Sequence, residues 1–240
     1  MIAGPLATVY AVYKTLAISV PTVVEALTGR LTIERCDERL RDWSHAIIKQ
    51  AGVELTVSGL DHVPRDRACI FMSNHQSHFD IPIIYVAFPG TLRMVAKAEL
   101  FRVPIWGRAM REAGFVSVDR SGDRQQAMEA MREAGEALGR GINIWIAPEG
   151  TRSPDGKLGK LKKGGFIMAQ ATGAPIVPMS IDGSRDILPK NTKLVRPGAV
   201  VRVTFGEPLA VPDAAAIERA MADVRAFFVA HVTEPEPDGG

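Results

Sequence analysis

Two residues five positions apart, His75 and Asp80, stand in the run Ser73-Asn74-His75-Gln76-Ser77-His78-Phe79-Asp80, directly after the apolar stretch 68–72. An imidazole held in one tautomer by a carboxylate takes a proton from a hydroxyl near neutral pH, so the pair is a candidate general base. Spacing restricts how the two can meet. On an ideal helix, five steps of about 100° leave two side chains roughly 140° apart, on different faces. They touch if His75 lies on the loop leaving a strand and Asp80 falls in the first turn of the next helix, where the helix N-terminus favours a carboxylate. A packed histidine and an aspartate capping a helix are the plain alternatives.

A second cluster has the residue types for holding a phosphate. Residues 147–153 read Ala-Pro-Glu-Gly-Thr-Arg-Ser, and Arg152 is followed by Lys157, Lys160, Lys162 and Lys163 with one intervening acid, Asp155. Arginine offers a forked pair of donors and lysine adds point charge. Glu149 is placed to orient Arg152, to hydrogen-bond substrate hydroxyls or simply to pair with a cation. Solvated loop lysines are the ordinary reading of Lys157 and Lys160. Two weaker blocks also end strands: Gly114 to Arg120, closing in Asp119-Arg120, and Ile176-Val177-Pro178-Met179, where proline within an apolar strand predicts an edge or a bulge.

The elements that must position these residues follow from periodicity. Short apolar runs at 53–57, 68–72, 92–96, 115–118, 142–147, 175–181 and 200–205 predict strands. Helical patterns lie at 81–87, 104–112, 124–138, 164–171 and 214–231, with Gly139 and Gly141 ending the third. Alternation at this interval predicts an α/β fold, a mainly parallel central sheet flanked by helices, with active residues beyond strand ends. The organisation expected is a helical membrane-interfacial segment over 1–50, a catalytic domain over 51–232 and a disordered acidic tail over 233–240.

At 240 residues with 46% apolar content the chain can bury one sizeable core. A formal charge of +2 without an aromatic-interleaved basic tract argues against nucleic acid. Cys36 and Cys69, far apart and without metal-ligand spacing, read as reduced packing thiols. Residues 1–28 are apolar apart from Lys14 and Glu25 and lack a basic leader and a cleavage site. The run before Lys14 falls short of the roughly 20 residues that span a bilayer, and Pro5 and Pro21 are expected to limit a continuous helix. An interfacial helix is expected instead, with Leu6, Tyr10, Tyr13, Leu16 and Ala17 in the headgroup boundary and Lys14 reaching anionic lipid. Packing of that helix on the protein's own core is the alternative.

Taken in order, the four blocks resemble the lysophosphatidic acid acyltransferase family of glycerolipid acyltransferases over roughly residues 69–180. The Asn-His-x-Ser-x-x-Asp motif is met by Asn74, His75, Ser77 and Asp80; a Gly-led strand ending in an Arg-bearing pair by Gly114, Asp119 and Arg120; Pro-Glu-Gly-Thr-Arg-Ser by 148–153; and the fourth by Val177 and Pro178. Segment 96–100 is similar to the family's Lys-x-Glu-Leu stretch and implies a phosphate contact at Lys97. Ser117 and Ala147 depart from the family's bulkier residues, which bears on the pocket wall.

The resemblance implies transfer of a fatty acyl group from acyl-CoA or acyl-ACP to the free hydroxyl of lysophosphatidic acid, forming phosphatidic acid. Glycerol 3-phosphate or another lysolipid is the alternative acceptor. His75 and Asp80 would be catalytic, and Asn74, Ser77, Lys97, Arg120, Glu149, Gly150, Thr151 and Arg152 would bind substrate. The thioester is a co-substrate; no cofactor or metal is implied. The partners are a membrane lipid, the acyl donor and a membrane surface, and the place is the cytoplasmic face of the cell membrane, peripheral or monotopic. Competing readings are a lipid hydrolase using Ser73 or Ser77, for which a Gly-x-Ser-x-Gly elbow is missing; a metal site from His75, His78 and Asp80, which lacks a fourth ligand; and a non-catalytic membrane-binding module.

Overall fold

A computed structural model of the chain describes residues 4–118, 124–190, 192 and 194–233. Two helices open it, α1 (Gly4–Leu27) and α2 (Ile33–Gln50), and strand β1 (Glu54–Ser58) follows. The chain then runs through β2 (Ile70–Ser73), α3 (Asp80–Ala87), β3 (Leu92–Lys97), α4 (Ala98–Phe101), α5 (Trp106–Glu112), β4 (Val116–Val118), α6 (Arg124–Gly139) and β5 (Asn143–Ile146). It closes with α7 (Gly164–Thr172), β6 (Ile176–Asp182), α8 (Ser184–Ile187), β7 (Val200–Phe205) and α9 (Ala214–His231). The strands form one seven-stranded sheet of order β1-β7-β6-β2-β5-β3-β4, parallel throughout except for the antiparallel β6–β7 pair.

Alternation along each strand divides the core in two. Phe71 and Trp145 face a cluster completed by Ile83 and Ile84 of α3 and Ile47 and Ile48 of α2. Their neighbours Ile70, Met72 and Ile144 face the other side, against Phe166 and Met168 of α7 and Phe228 of α9. The connection leaving β2 thus covers one face and the connection leaving β5 covers the other. Where adjacent strands send their chains to opposite faces, a crevice opens beyond their carboxyl ends, the usual ligand position in an open α/β sheet. Here it lies between β2 and β5, above His75 and Glu149.

Four expectations need correction. Pro21 does not interrupt α1, which runs unbroken through it, and 22 residues from Leu6 to Leu27 are long and apolar enough to cross a membrane by length and composition. Proline forfeits one bond, to the carbonyl four residues back; side-chain ties between α1 and α2 offset the loss, Glu25 accepting from Arg35 and Arg39 at 2.7 Å each and Trp43 donating to Thr15 at 3.1 Å. The apolar stripe also differs: Tyr10 packs on the core, while Leu6, Val9, Tyr13, Leu16, Val20 and Val24 are exposed.

Pro178 lies in an interior strand, between β7 and β2, rather than at an edge. The bulge expected there is present in the pairing: Met179 opposes Phe205 while Ile176 opposes Leu209, so the strand opposite carries one extra residue where proline has no N–H to give. At the other end, Thr233, expected to open the acidic tail, hydrogen-bonds Asp182 through its amide at 3.0 Å. Residues 234–240 lie outside the described residues.

A further lock was not read from the sequence. Arg93 in β3 is fully buried, where it pairs with Asp37 of α2 and donates to the Ala113 and Leu92 carbonyls at 2.6 and 2.7 Å. Thr91 bonds the other Asp37 oxygen at 2.6 Å. A buried guanidinium is tolerated only when its donors are matched in this way, and the match ties α2 to the strand that ends in Lys97.

Candidate active site

The chain leaves β2 at Ser73 and enters α3 at Asp80, the geometry that a five-residue spacing demands. His75 Nδ1 lies 2.7 Å from Asp80 Oδ2. The same oxygen accepts the Gln76 and Ser77 amides at 2.8 and 3.0 Å, so one carboxylate oxygen gathers the loop's backbone and the imidazole together. Asp80 is fully buried, whereas the His75 side chain keeps 17% of its surface. Because Nδ1 is taken by Asp80, Nε2 is the nitrogen left for chemistry. The ring stands edge-on to Trp145 of β5 at 5.7 Å, and Trp145 donates to Ser73 Oγ at 2.9 Å.

The loop after β5 is bound to the loop after β2 through Glu149. Its Oε1 accepts the His75 amide at 3.0 Å and its Oε2 the Gly159 amide at 2.8 Å. Burial pushes the Glu149 carboxyl above the usual carboxylate range, against the opposing pull of those two amides. The His75 carbonyl accepts from the Ser153 amide at 2.7 Å, and Gln76 Nε2 donates to the Gly156 carbonyl at 2.9 Å. Glu149 therefore spends both oxygens on backbone and does not orient Arg152.

A cavity of about 580 Å³ opens over this junction. Its polar wall holds His75, His78, Lys97, Thr151, Arg152 and Lys162, with Gly150 between them. The rest of its wall is largely apolar and includes Val95, Val118, Met131, Ile146 and Met168, from strands β3, β4 and β5 and helices α6 and α7. Gly150 has φ +73°, the left-handed region open to glycine, and a Cβ there would lie 3.0 Å from Lys162 Nζ. That close approach lets Lys162 reach into the cavity. His78 is exposed at the cavity rim, and the partial desolvation of its ring together with the neighbouring Arg152 holds the imidazole below the usual histidine range. Lys190, from the segment after α8, donates to the Arg152 carbonyl at 2.6 Å and fixes the turn from behind.

The structure thus gathers His75, Lys97, Gly150, Thr151 and Arg152 around one cavity, with Asp80 buried behind His75, and it separates three other expected contacts from it: Glu149, already spent on backbone, Asn74 and Ser77. The Asn74 amide is consumed by β6, giving to the Ile181 carbonyl and taking from the Ile181 amide, both at 2.8 Å. Ser77 Oγ gives to the Leu188 carbonyl at 2.9 Å and takes from the Phe79 amide at 3.1 Å. Both side chains shape the loop and neither lines the cavity. Ser73 Oγ is likewise buried and bonded to the Asn74 carbonyl at 2.8 Å, so neither serine is presented as a nucleophile. Asp119 and Arg120 lie outside the described residues. Of the two departures in the resemblance, Ala147 lines the cavity, while Ser117 does not and instead gives its amide to Glu133 at 2.8 Å.

Sequence reasoning passed over three contributors. Trp145 read only as strand. Lys162 was one lysine among several, yet its side chain lies against Gly150 and lines the cavity. Gln76, whose amide bridges the two loops, carried no signal at all.

Comparison with known proteins agrees with this geometry. The family model described as Acyltransferase matches residues 54–182, just over half of the chain. The chloroplastic 1-acyl-sn-glycerol-3-phosphate acyltransferase BAT2 of Brassica napus is 31% identical over 195 residues, 78% of this chain and 56% of that protein. The 1-acyl-sn-glycerol-3-phosphate acyltransferase of Pseudomonas aeruginosa is 33% identical over 130 residues, 54% of this chain and 50% of that one. The chain spans about half the length of these curated relatives. The crystal structure of the 1-acyl-sn-glycerophosphate (LPA) acyltransferase PlsC from Thermotoga maritima superposes with a TM-score of 0.73 at 28% identity, covering 91% of each chain. Since the matched span holds His75, Asp80 and the whole of the Glu149–Arg152 turn, the chain belongs to the acyltransferase family.

Proposed function

We propose that the protein transfers a fatty acyl group from a thioester, on coenzyme A or acyl carrier protein, to the free hydroxyl of lysophosphatidic acid, forming phosphatidic acid. The observation that carries this reading is the imidazole of His75, tied through Nδ1 to Asp80 at 2.7 Å, on the wall of a cavity that joins a cationic side to an apolar one. His75 Nε2 takes the hydroxyl proton as the oxygen attacks the thioester carbonyl. The C–S bond breaks, and the thiolate leaves with the proton returned from the imidazolium. Asp80 steadies the ring and the charge that develops on it. Arg152, Lys97 and Lys162 hold the phosphate so that the hydroxyl meets Nε2, and the apolar wall takes an acyl chain. Positioning supplies much of the rate. Arg120 is proposed as a further phosphate contact on the strength of the resemblance alone. Asn74, Ser77 and Glu149 act as positioning residues that hold the loop carrying His75.

The same reading places α1 in one leaflet, lying rather than spanning, on the cytoplasmic face where soluble thioesters arrive. Both ends of α1 are held along the body of the protein: Ala7 is buried in the core and Ala26 near α2, while the outward stripe is bare. A helix about 36 Å long fastened lengthwise suits an interfacial position better than a perpendicular one. The test is an acceptor panel with one labelled acyl thioester, in vesicles, using wild-type protein and His75→Ala. Transfer to lysophosphatidic acid with a loss of about 10²- to 10⁴-fold in the variant is expected. No transfer to any phosphate-bearing acceptor, or full activity without His75, would overturn the proposal.

A further inference from the structure

We infer that the turn joining α4 to α5 is a second lipid-contacting element, a lip at the cavity mouth that enters the same leaflet as α1 and over which the lysolipid passes. The inference rests on the acyl-transfer reading for the identity of the passing lipid, and on the fold for the lip itself. Lys97, on the cavity wall, is the N-cap of α4, so the single helical turn that leads to this segment starts at the cavity. Leu100, Val103, Ile105 and Trp106 are all exposed there, Ile105 by 51% and Trp106 by 37%.

This exposure is built. Ile105 is the one non-glycine residue with positive φ among the described residues; its φ +69° with ψ −54° is the rare and strained γ-turn conformation, which a β-branched side chain especially disfavours. The surroundings enforce the conformation. Trp106 and Gly107 amides bond the Pro104 and Val103 carbonyls at 2.7 and 2.9 Å, and the Ala109 amide bonds Ile105 at 3.0 Å. Gly107 sits so close to the Phe101 carbonyl that a Cβ would stand 2.0 Å from its oxygen. Arg111 covers the Phe101 ring, 5.4 Å from its centroid. Strain held in this way concentrates where a surface is used, and in water an isoleucine displayed at such a turn gains nothing over glycine or asparagine.

The occupant follows from what adjoins the turn. Helix α5 packs on α1, whose outward stripe of Leu6, Val9, Tyr13 and Leu16 is bare, so the two apolar surfaces belong to one side of the molecule. From 97 to 112 the chain has Lys97, Arg102, Arg108 and Arg111 against Glu99 and Glu112, and Glu112 pairs with Arg108 at 2.7 Å, which leaves an excess of two cations. Apolar tips rimmed by cations, with a tryptophan between them, match the acyl boundary and headgroups of an anionic leaflet.

The experiment places a polarity-sensitive fluorophore at Val103→Cys and, separately, at Val229→Cys on exposed α9, which packs on β6 and α7. Cys36 and Cys69 are buried and stay unlabelled. With vesicles of phosphatidylglycerol and phosphatidylcholine carrying doxyl-labelled chains, the probe at 103 should shift to the blue and lose at least half its emission, and the probe at 229 should do neither. Val103→Asp with Trp106→Asp should raise the KM for vesicle-borne lysolipid at least tenfold while turnover on a short-chain, water-soluble acceptor stays within twofold. A probe at 103 as accessible to aqueous iodide as the one at 229, or equal losses on both acceptors, would overturn the lip. Wild-type protein inactive on every acceptor would instead sink the acyl-transfer reading, and the fluorescence would still decide the lip.

Discussion

Replacing Asp80 separates the two tasks of one oxygen. Oδ2 accepts His75 Nδ1, the Gln76 amide and the Ser77 amide at 2.7, 2.8 and 3.0 Å, while Oδ1 is buried with no partner among the described residues. In Asp80→Asn the amide oxygen can occupy the Oδ2 position and keep all three bonds, with the NH2 group where Oδ1 was. A bond to a charged acceptor contributes about 1.5–3 kcal/mol and a neutral one about 0.5–1.5, so roughly 1 kcal/mol is lost per bond. Relief from burying a charge offsets much of that. Stability should then change by about 2 kcal/mol at most, which for a chain of this size is a shift of roughly 4–8 °C in Tm.

Catalysis should respond far more, because the carboxylate opposes a charge that appears on His75 only as the proton is transferred. The same exchange in the serine-protease triad costs about 10⁴ in kcat. A loss of about 10²- to 10⁴-fold is expected here, equivalent to about 2.7–5.5 kcal/mol at 1.36 kcal/mol per decade. Asp80→Ala instead leaves two backbone amides without an acceptor, at about 1–3 kcal/mol each, and should melt clearly below Asp80→Asn. Thiol release from acyl-CoA followed by absorbance, alongside thermal unfolding, measures both. Asp80→Asn turning over within threefold of wild type, or Asp80→Ala melting like the parent, would refute the assignment.

Arg152→Ala and Lys162→Ala should each raise the KM for the phosphate acceptor about tenfold or more with a smaller change in kcat, checked by varying acceptor at saturating thioester. In Glu149→Gln a single carbonyl oxygen faces two amides and an NH2 group meets one of them, so an orphaned donor costs about 1–3 kcal/mol; kcat and KM should both worsen, since the loops of His75 and Arg152 are released together. His78 is held below its ordinary value of 6.5. The unfolded chain therefore binds its proton first, and the stability tied to this group is present above 6.5 and is lost as pH falls through the lower folded value. Urea midpoints of wild type and His78→Gln should draw together in that direction: any advantage of wild type at pH 7.5 should shrink or reverse at pH 5, and parallel profiles would contradict it.

Residue type and spacing made the His75–Asp80 contact legible: a histidine and an aspartate five apart after an apolar run have few ways to meet, and the structure uses the strand-to-helix turn. The sheet was legible for the same reason, because alternation of short apolar runs with helical patterns has few solutions. Direction of a polar side chain was not. Asn74 and Ser77 carry the right chemistry for a ligand, but Ile181 and Leu188, more than a hundred residues on, bring backbone groups that consume it. Local rules also misjudged Pro21, where the bond forfeited inside α1 is outweighed by contacts to α2. Arg93 had a signal that went unread: a charge in the middle of an apolar strand must have a partner, and Asp37 was available on the preceding helix.

The connection between base and phosphate grip runs through backbone. His75 gives its amide to Glu149 and its carbonyl accepts from the Ser153 amide, so the residue proposed to move the proton is clamped on both sides by the turn that displays Arg152. Lys190 then holds that turn from beyond β6, and Asn74 pins the other loop to β6 itself. Strands β2, β5 and β6 are neighbours in the sheet, and each contributes one anchor at the same end. The backbones that carry the Arg152 cation and the His75 imidazole are therefore fastened to each other. A site assembled in this way needs little rearrangement to bring a hydroxyl to Nε2, and the motion left to the reaction is that of the lipid arriving.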